Sequence, residues 1–221
     1  MDLVTKQREE RKNRILEVAR DLIADRGYDG VTMRDLADES LVSVPTLYNL
    51  FGGKQELLLA AIESYFLELL RDTERSERDE GLPQLMSLAE AIAREMLQRA
   101  AYARSLMRFF GGPSDTRGLH EFAAQELTNK VILALDQMKS KQQLASWVEP
   151  RVLGERLASQ FIIISFEWAS GYLSDSAMQA AIPYSLGITL LGLARGEAAE
   201  ELEVLARENQ SAAAAEGTGN R

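Results

Sequence analysis

At 221 residues the chain is long enough for one large or two small domains, and a hydrophobic content of 46% is too apolar for a disordered protein. It has no cysteine, which excludes disulfide frameworks and thiolate metal sites and fits a reducing, cytoplasmic compartment. A net charge of −9 excludes a nucleic-acid partner held by bulk charge alone, although residues 1–20 carry six basic groups against four acidic ones.

The first twenty residues are too polar for a signal peptide. The longest apolar runs, Phe161–Phe166 and Ala180–Ala194, are too short or too broken to span a bilayer, so no membrane partner is expected. The periodicity is helical nearly throughout and no stretch alternates as a strand, so the expected fold class is all-α. Over roughly Thr5–Arg26, Ile15, Val18, Ala19, Leu22 and Ile23 fall at i, i+3, i+4, i+7 and i+8, one apolar stripe, and Gly27 stands where a C-cap belongs. Thr32 opens a second helix that ends near Glu39 or Ser40, with Asp35 completing a capping box in which Asp replaces the usual Glu.

Ser43 is placed to cap a third helix. Pro45 sits in its first turn, where a missing N–H costs little, and Gly52 and Gly53 stop it. Leu47, Leu50 and Phe51 then face inward, and Pro45, Thr46, Tyr48 and Asn49 face outward. A fourth helix is predicted from about Lys54 to Ser76. After a charged break over residues 72–81, further helices are predicted at Leu85–Ala101, Ala103–Phe110, Asp115–Gln142, Pro150–Leu173 and Ala180–Leu205. The alanine-rich end, Gln210–Arg221, reads as disordered.

Ala37, Leu41, Leu47 and Leu50 have the spacing of inner positions in two helices crossed through a tight turn, a helix-turn-helix. In that motif the second helix reads base edges in the major groove with its N-terminal residues. Thr46 and Asn49 can donate and accept hydrogen bonds at bases, the Thr46 methyl or Pro45 can meet a thymine methyl, and Tyr48 can reach a phosphate. Lys54 opposes the dipole of the helix it starts, at about 0.3–1 kcal/mol. A cation beside free helix-start amides makes an anion site, so Lys54 reads as a phosphate ligand, with a poorly placed surface lysine as the alternative.

Taken together these residues resemble the tetracycline-repressor (TetR) family of bacterial regulators across about residues 14–62. They supply Arg26-Gly27-Tyr28, Thr32 with Leu36-Ala37, Val42-Ser43, Thr46-Leu47-Tyr48, Phe51 and Lys54-Gln55-Glu56-Leu57; the joint pattern is specific where no single piece is. The resemblance implies a helix-turn-helix DNA-binding domain over residues 1–53, a helical ligand-binding and dimerisation domain over 54–209, and a tail over 210–221. It also implies repression relieved by a small, largely apolar effector. Carried over by position, Thr32, Arg34, Ser43, Val44, Pro45, Thr46, Tyr48, Asn49 and Lys54 face DNA. Leu41 stands where most members have glycine. Either the turn is built differently, or Leu41 accepts a left-handed strain of about 1–2 kcal/mol in exchange for burying its side chain.

One helix-turn-helix reads one half-site. Two, about 34–36 Å apart on a twofold axis, read a palindrome, so the expected partners are double-stranded DNA and a second copy of the chain. Phe161, Ile164 and Ser165 on one apolar helix and Gly187, Leu190, Leu191 and Ala194 on the next form the expected dimer face, the alternative being this domain's own core. Met86, Met107, Phe110, Phe122, Phe166, Trp168 and Tyr172 are candidates to line an effector pocket, against ordinary core packing. His120 is the one histidine, and Glu167 reads as an interface rim group or a pocket anchor. One histidine and no cysteine leave no catalytic set, and neither metal-ligand spacing nor a phosphate loop is present, so no enzyme activity, metal or cofactor is expected. The competing reading is a helical small-molecule-binding or interaction protein whose helix-turn-helix no longer binds DNA.

Overall fold

A computed structural model describes residues 3–72, 80–110 and 117–214, the side chains of 3, 4, 69–72, 110 and 117–124 excepted. Its described residues form, in chain order, α1 (Leu3–Gly30), α2 (Met33–Ser40), α3 (Val44–Phe51), α4 (Lys54–Asp72), α5 (Leu82–Gln98), α6 (Ala100–Phe110), α7 (Arg117–Ser140), α8 (Pro150–Ala169), α9 (Asp175–Leu191) and α10 (Glu197–Ala213). The fold is all-α. Among the described residues, no helix is long and apolar enough to cross a membrane, and no group of three acidic, histidine or cysteine side chains could hold a metal ion.

The chain divides into two compact units, Met1–Glu68 with Ala100–Ser114, and Leu69–Arg99 with Asp115–Arg221. A boundary at residue 53 therefore cuts through packed structure: most of α4, and α6 from much later in the chain, belong with the first three helices. In this first unit Ile15, Ala19, Leu22 and Ile23 of the predicted stripe are buried, Val18 is half-buried and Leu16 joins the buried face, as do Leu36, Leu47, Leu57, Ile62 and Leu106 from other helices. Apolar burial of this kind contributes roughly 25 cal/mol per Å² and supplies most of a helix's stability.

A charged joint ties α1 to α4. Arg20, all but buried, donates from both guanidinium ends to Glu68 at 2.6 and 2.8 Å and to Ser64 at 2.6 Å. Burial works against its charge, but the Glu68 hydrogen bond and carboxylate outweigh it and raise the Arg20 pKa above its ordinary value.

The second unit packs α5, α7, α8, α9 and α10, with α9 lying along α10. The predicted helix Ala180–Leu205 is in fact two, since α9 ends at Leu191 and α10 begins at Glu197. The break has a long-range cause. Ala145 N–H donates to Leu193 C=O and Arg195 N–H to Gln143 C=O, both at 2.8 Å, so residues 143–145 claim backbone groups that a continuous helix would use. Gly196, at φ 62°, turns the chain into α10. The predicted disordered tail shifts as well: residues 210–213 continue α10, and 215–221 lie outside the described residues.

Gly187 serves the α9–α10 contact. A Cβ there would lie 3.1 Å from both the Ala206 Cβ and the Leu202 carbonyl oxygen. The small residue expected to admit a second copy of the chain instead admits the chain's own last helix.

Candidate nucleic-acid interface

Three helix starts carry the predicted DNA-facing residues. Thr32 caps α2 through a closed capping box: its Oγ1 accepts from Asp35 N–H at 3.2 Å, and Asp35 Oδ2 accepts from Thr32 N–H at 3.0 Å. Arg26 braces the same carboxylate at 2.9 Å. The Thr32 hydrogen bonds, followed by the Arg26 guanidinium, hold the Asp35 carboxyl below its usual range. Arg34, in the first turn of α2, is exposed, and its nearest acid, Asp38, is 3.9 Å away and also exposed. That is a weak surface pair which a phosphate can displace.

Ser43 caps α3. Its Oγ accepts from Thr46 N–H at 3.3 Å and lies 2.8 Å from Thr46 Oγ1. Pro45 occupies the first turn and Leu47 is wholly buried, so the helix is anchored on one side. Ser43, Pro45, Tyr48 and Asn49 are exposed, and Val44 and Thr46 are half-buried. Inward packing of Thr46, Tyr48 and Asn49 would have ended the helix-turn-helix reading; the structure leaves all three accessible.

Leu41 takes the left-handed conformation that one sequence expectation allowed, but not the burial that was to accompany it. It caps α2 in the left-handed conformation, φ 55° and ψ 43°, and its N–H reaches the Ala37 and Asp38 carbonyls. Its side chain is 87% exposed. The strain is accepted without burial, so Leu41 is not an inner position of the motif; Ala37 and Leu47 are buried and Leu50 is half-buried. Leu41→Gly is expected to stabilise the chain by about 0.5–1 kcal/mol, the left-handed penalty relieved less glycine's larger unfolded-state entropy. Urea melts check this, and an unchanged or lowered midpoint contradicts it.

Lys54 begins α4, half-buried. Its Nζ donates to the Asp29 carbonyl at 3.3 Å and stands 6.0 Å from the centre of the Tyr28 ring. Tyr28 stacks on Phe109 of α6, centroids 3.8 Å apart and planes 23° from parallel. The sequence singles out Lys54 but not the residues that surround it. Tyr28 and Phe109 are 81 positions apart, and no local pattern pairs them.

The second unit holds a cleft among α5, α7, α8 and α9, lined by aliphatic side chains including Leu85, Leu88, Ile92, Val131, Leu157 and Ile182. Its polar lining residues are Gln160 and Ser185. Gln160 Nε2 donates to Thr189 Oγ1 at 3.0 Å, and Ser185 Oγ lies 3.5 Å from Gln160 Oε1. The cleft volume is about 30 Å³, enough for a water or a methyl-sized group but far below the roughly 300–1,000 Å³ of ligand pockets.

The predicted pocket residues do not gather at this cleft. Trp168 is fully buried, with Nε1 donating to Asp175 at 2.8 Å. Phe166 and Tyr172 are exposed, Met86 is half-buried, and Met107 belongs to the first unit. The side chains of Phe110, His120 and Phe122 lie outside the described residues. Phe161 and Ile164, expected at the dimer face, line the cleft instead. Ser165 is buried and bonds the Phe161 carbonyl at 2.9 Å, while Gly187, Leu190 and Ala194 are covered by their own chain. Of the expected dimer face, Leu191 remains exposed, joined by Ile163 and Phe166 on α8 and Ile188 on α9. Glu167 is exposed beside them. One sequence signal for the cleft was available: Gln160 is a polar residue at the edge of the apolar run Phe161–Phe166.

Residues 15–61 match the family described as bacterial regulatory proteins, tetR family. The transcriptional activator FasR of Mycolicibacterium smegmatis is 35% identical over 71 residues, 32% of each chain. The transcriptional repressor KstR of Mycobacterium tuberculosis is 36% identical over 75 residues, 34% of each chain. The chain thus spans about a third of the length of these curated relatives. A crystal structure of a TetR-family transcriptional regulator from Pectobacterium atrosepticum has the same fold, with a TM-score of 0.68 and 22% identity over 86% of this chain and 97% of that one.

Proposed function

We propose that the chain, whose residues 15–61 match the tetR family of bacterial regulatory proteins, is a cytoplasmic, dimeric transcriptional regulator that binds a palindromic operator, represses, and is released by a small, largely apolar effector. The observation that carries this reading is α3: capped by Ser43, anchored by buried Leu47, with Pro45, Tyr48 and Asn49 exposed along its other side. Such a helix can enter the major groove with Asn49 and Thr46 at base edges, while Arg34, Tyr48 and Lys54 meet phosphates. The second copy would pair across the apolar surfaces of α8 and α9, giving the twofold that a palindrome requires.

The cleft is the candidate effector site. An aliphatic body with one hydrogen-bonding group suits its lining, that group meeting Gln160 or Ser185. An effector larger than a methyl group must spread the surrounding helices. It would therefore bind an expanded state better than this one, and that difference in affinity is what shifts the equilibrium away from the DNA-binding form.

The test is selection of duplexes from a randomised pool by the full chain, followed by titration of the winner. A palindromic, salt-sensitive consensus is expected. Lys54→Ala should weaken binding to every sequence, and Asn49→Ala should relax preference at one base position, by about 1–3 kcal/mol. Failure to enrich any duplex would defeat the reading. It would favour instead a helical ligand-binding protein without DNA affinity, an alternative that the strained, exposed Leu41 at the motif's turn keeps open. Repression is tested by transcription from a promoter carrying the selected site: lower output with the protein and recovery with effector are expected, and higher output makes it an activator.

A further inference from the structure

Lys54 is held by more than its place at a helix start. After Gly27, at φ 70°, the end of α1 brings a ring and a carbonyl to the same ammonium: Tyr28 lies 6.0 Å below Nζ, and the Asp29 carbonyl accepts from it at 3.3 Å. A lysine has three N–H donors, so a bond to Asp29 leaves two for a phosphate. Tyr28 is itself held, stacked at 3.8 Å on Phe109. A lysine on a free four-carbon stem must be ordered when it binds; one already resting on a fixed aromatic face loses less freedom.

We propose that Tyr28 is the positioning residue for Lys54, and that its stack on Phe109 makes the placement of that lysine depend on α6. The proposal rests on the reading of Lys54 as a phosphate ligand. Its regulatory consequence follows from connectivity. The chain enters α6 from one stretch of the second unit and leaves it for another, residues 69–99 and 115–221. Any displacement of α6 would move Phe109, then Tyr28, then the ammonium, without any change in the recognition helix.

The experiment uses the full chain and the duplex that the wild type selects from a randomised pool, titrated by fluorescence anisotropy across a salt series. Lys54→Ala is expected to lower affinity roughly three- to tenfold and to reduce the log–log salt slope by about one. Tyr28→Leu, which keeps apolar bulk but removes the aromatic face, should reproduce much of both effects, and Tyr28→Phe neither. In the double variant the Tyr28→Leu loss should vanish into that of Lys54→Ala, because both act through one contact. Phe109→Ala should fall between wild type and Tyr28→Leu.

Circular dichroism melts accompany each variant. If Tyr28→Leu lowers the melting temperature while leaving the salt slope intact, or if its loss adds in full to that of Lys54→Ala, Tyr28 is only a packing residue and the proposal falls. Wild-type slope and affinity in Phe109→Ala remove the link to α6. A wild type that selects no duplex defeats the regulator reading itself, an outcome distinct from a wild type that binds and a Tyr28→Leu variant that binds equally well.

Discussion

Under the proposed pairing across α8 and α9, Ile163→Asp is expected to leave the chain folded, convert it to a monomer, and lower its affinity for a palindromic duplex by about 10²–10⁴-fold, the advantage that a second linked half-site confers. Ile163 lies in the second half of α8 and is 57% exposed, so an aspartate there stays solvated in the single chain and should change its stability by less than about 1 kcal/mol. In a twofold bundle of α8 and α9 the same carboxylate would be desolvated against apolar Phe166, Ile188 and Leu191 or their mates. Val204→Asp is the control. It also replaces an exposed apolar residue, on α10 and 54% exposed, and should alter neither mass nor affinity. Light scattering and anisotropy read both quantities. A dimeric Ile163→Asp chain with full affinity would place the twofold elsewhere.

The N-terminal helices were readable because their signals are local. Thr32 and Asp35 are three residues apart, as are Ser43 and Thr46, and the hydrogen bonds that start α2 and α3 run between them. The buried face of α1 follows from a stripe at helical period. Leu41 shows where local reading stops. Its left-handed backbone was one of the two readings that the family's glycine at this position left open, but its exposure depends on how the rest of the unit packs, which no local signal carries.

In the second unit the limits were of another kind. α8 and α9 are apolar over more than one face, so periodicity cannot rank their faces. Three demands compete for them: the cleft takes Phe161, Ile164 and Ile182, α10 takes Gly187, and what stays exposed becomes the candidate dimer surface. Only the third dimension assigns these. The end of α9 was missed for a similar reason. The apolar pattern runs through Leu190, Leu191 and Leu193, while the bonds that break the helix come from residues about fifty positions earlier.

Trp168 brings these assignments to one experiment. Sequence composition made it a pocket candidate, but its burial makes it the wedge that joins the end of α8 to the start of α9. Its Nε1 donates to Asp175, the first residue of α9, at 2.8 Å. Trp168→Ala is expected to destabilise the second unit by about 3–5 kcal/mol, the range for emptying a large aromatic site. Trp168→Phe keeps a ring but loses the indole N–H, so about 1–2 kcal/mol is expected, from one hydrogen bond and a smaller volume. Urea melts read both. The other tryptophan, Trp147, is exposed, so Trp147→Phe leaves a spectrum from Trp168 alone, expected to be blue-shifted and to turn red only on unfolding. An effector-lining tryptophan predicts the reverse pattern: little loss of stability in Trp168→Ala and an emission that responds to ligand while the chain is folded. Because α8 and α9 also carry the exposed pairs Ile163–Phe166 and Ile188–Leu191, loosening this corner should weaken dimerisation as well, although no residue of the proposed contact surface has been changed.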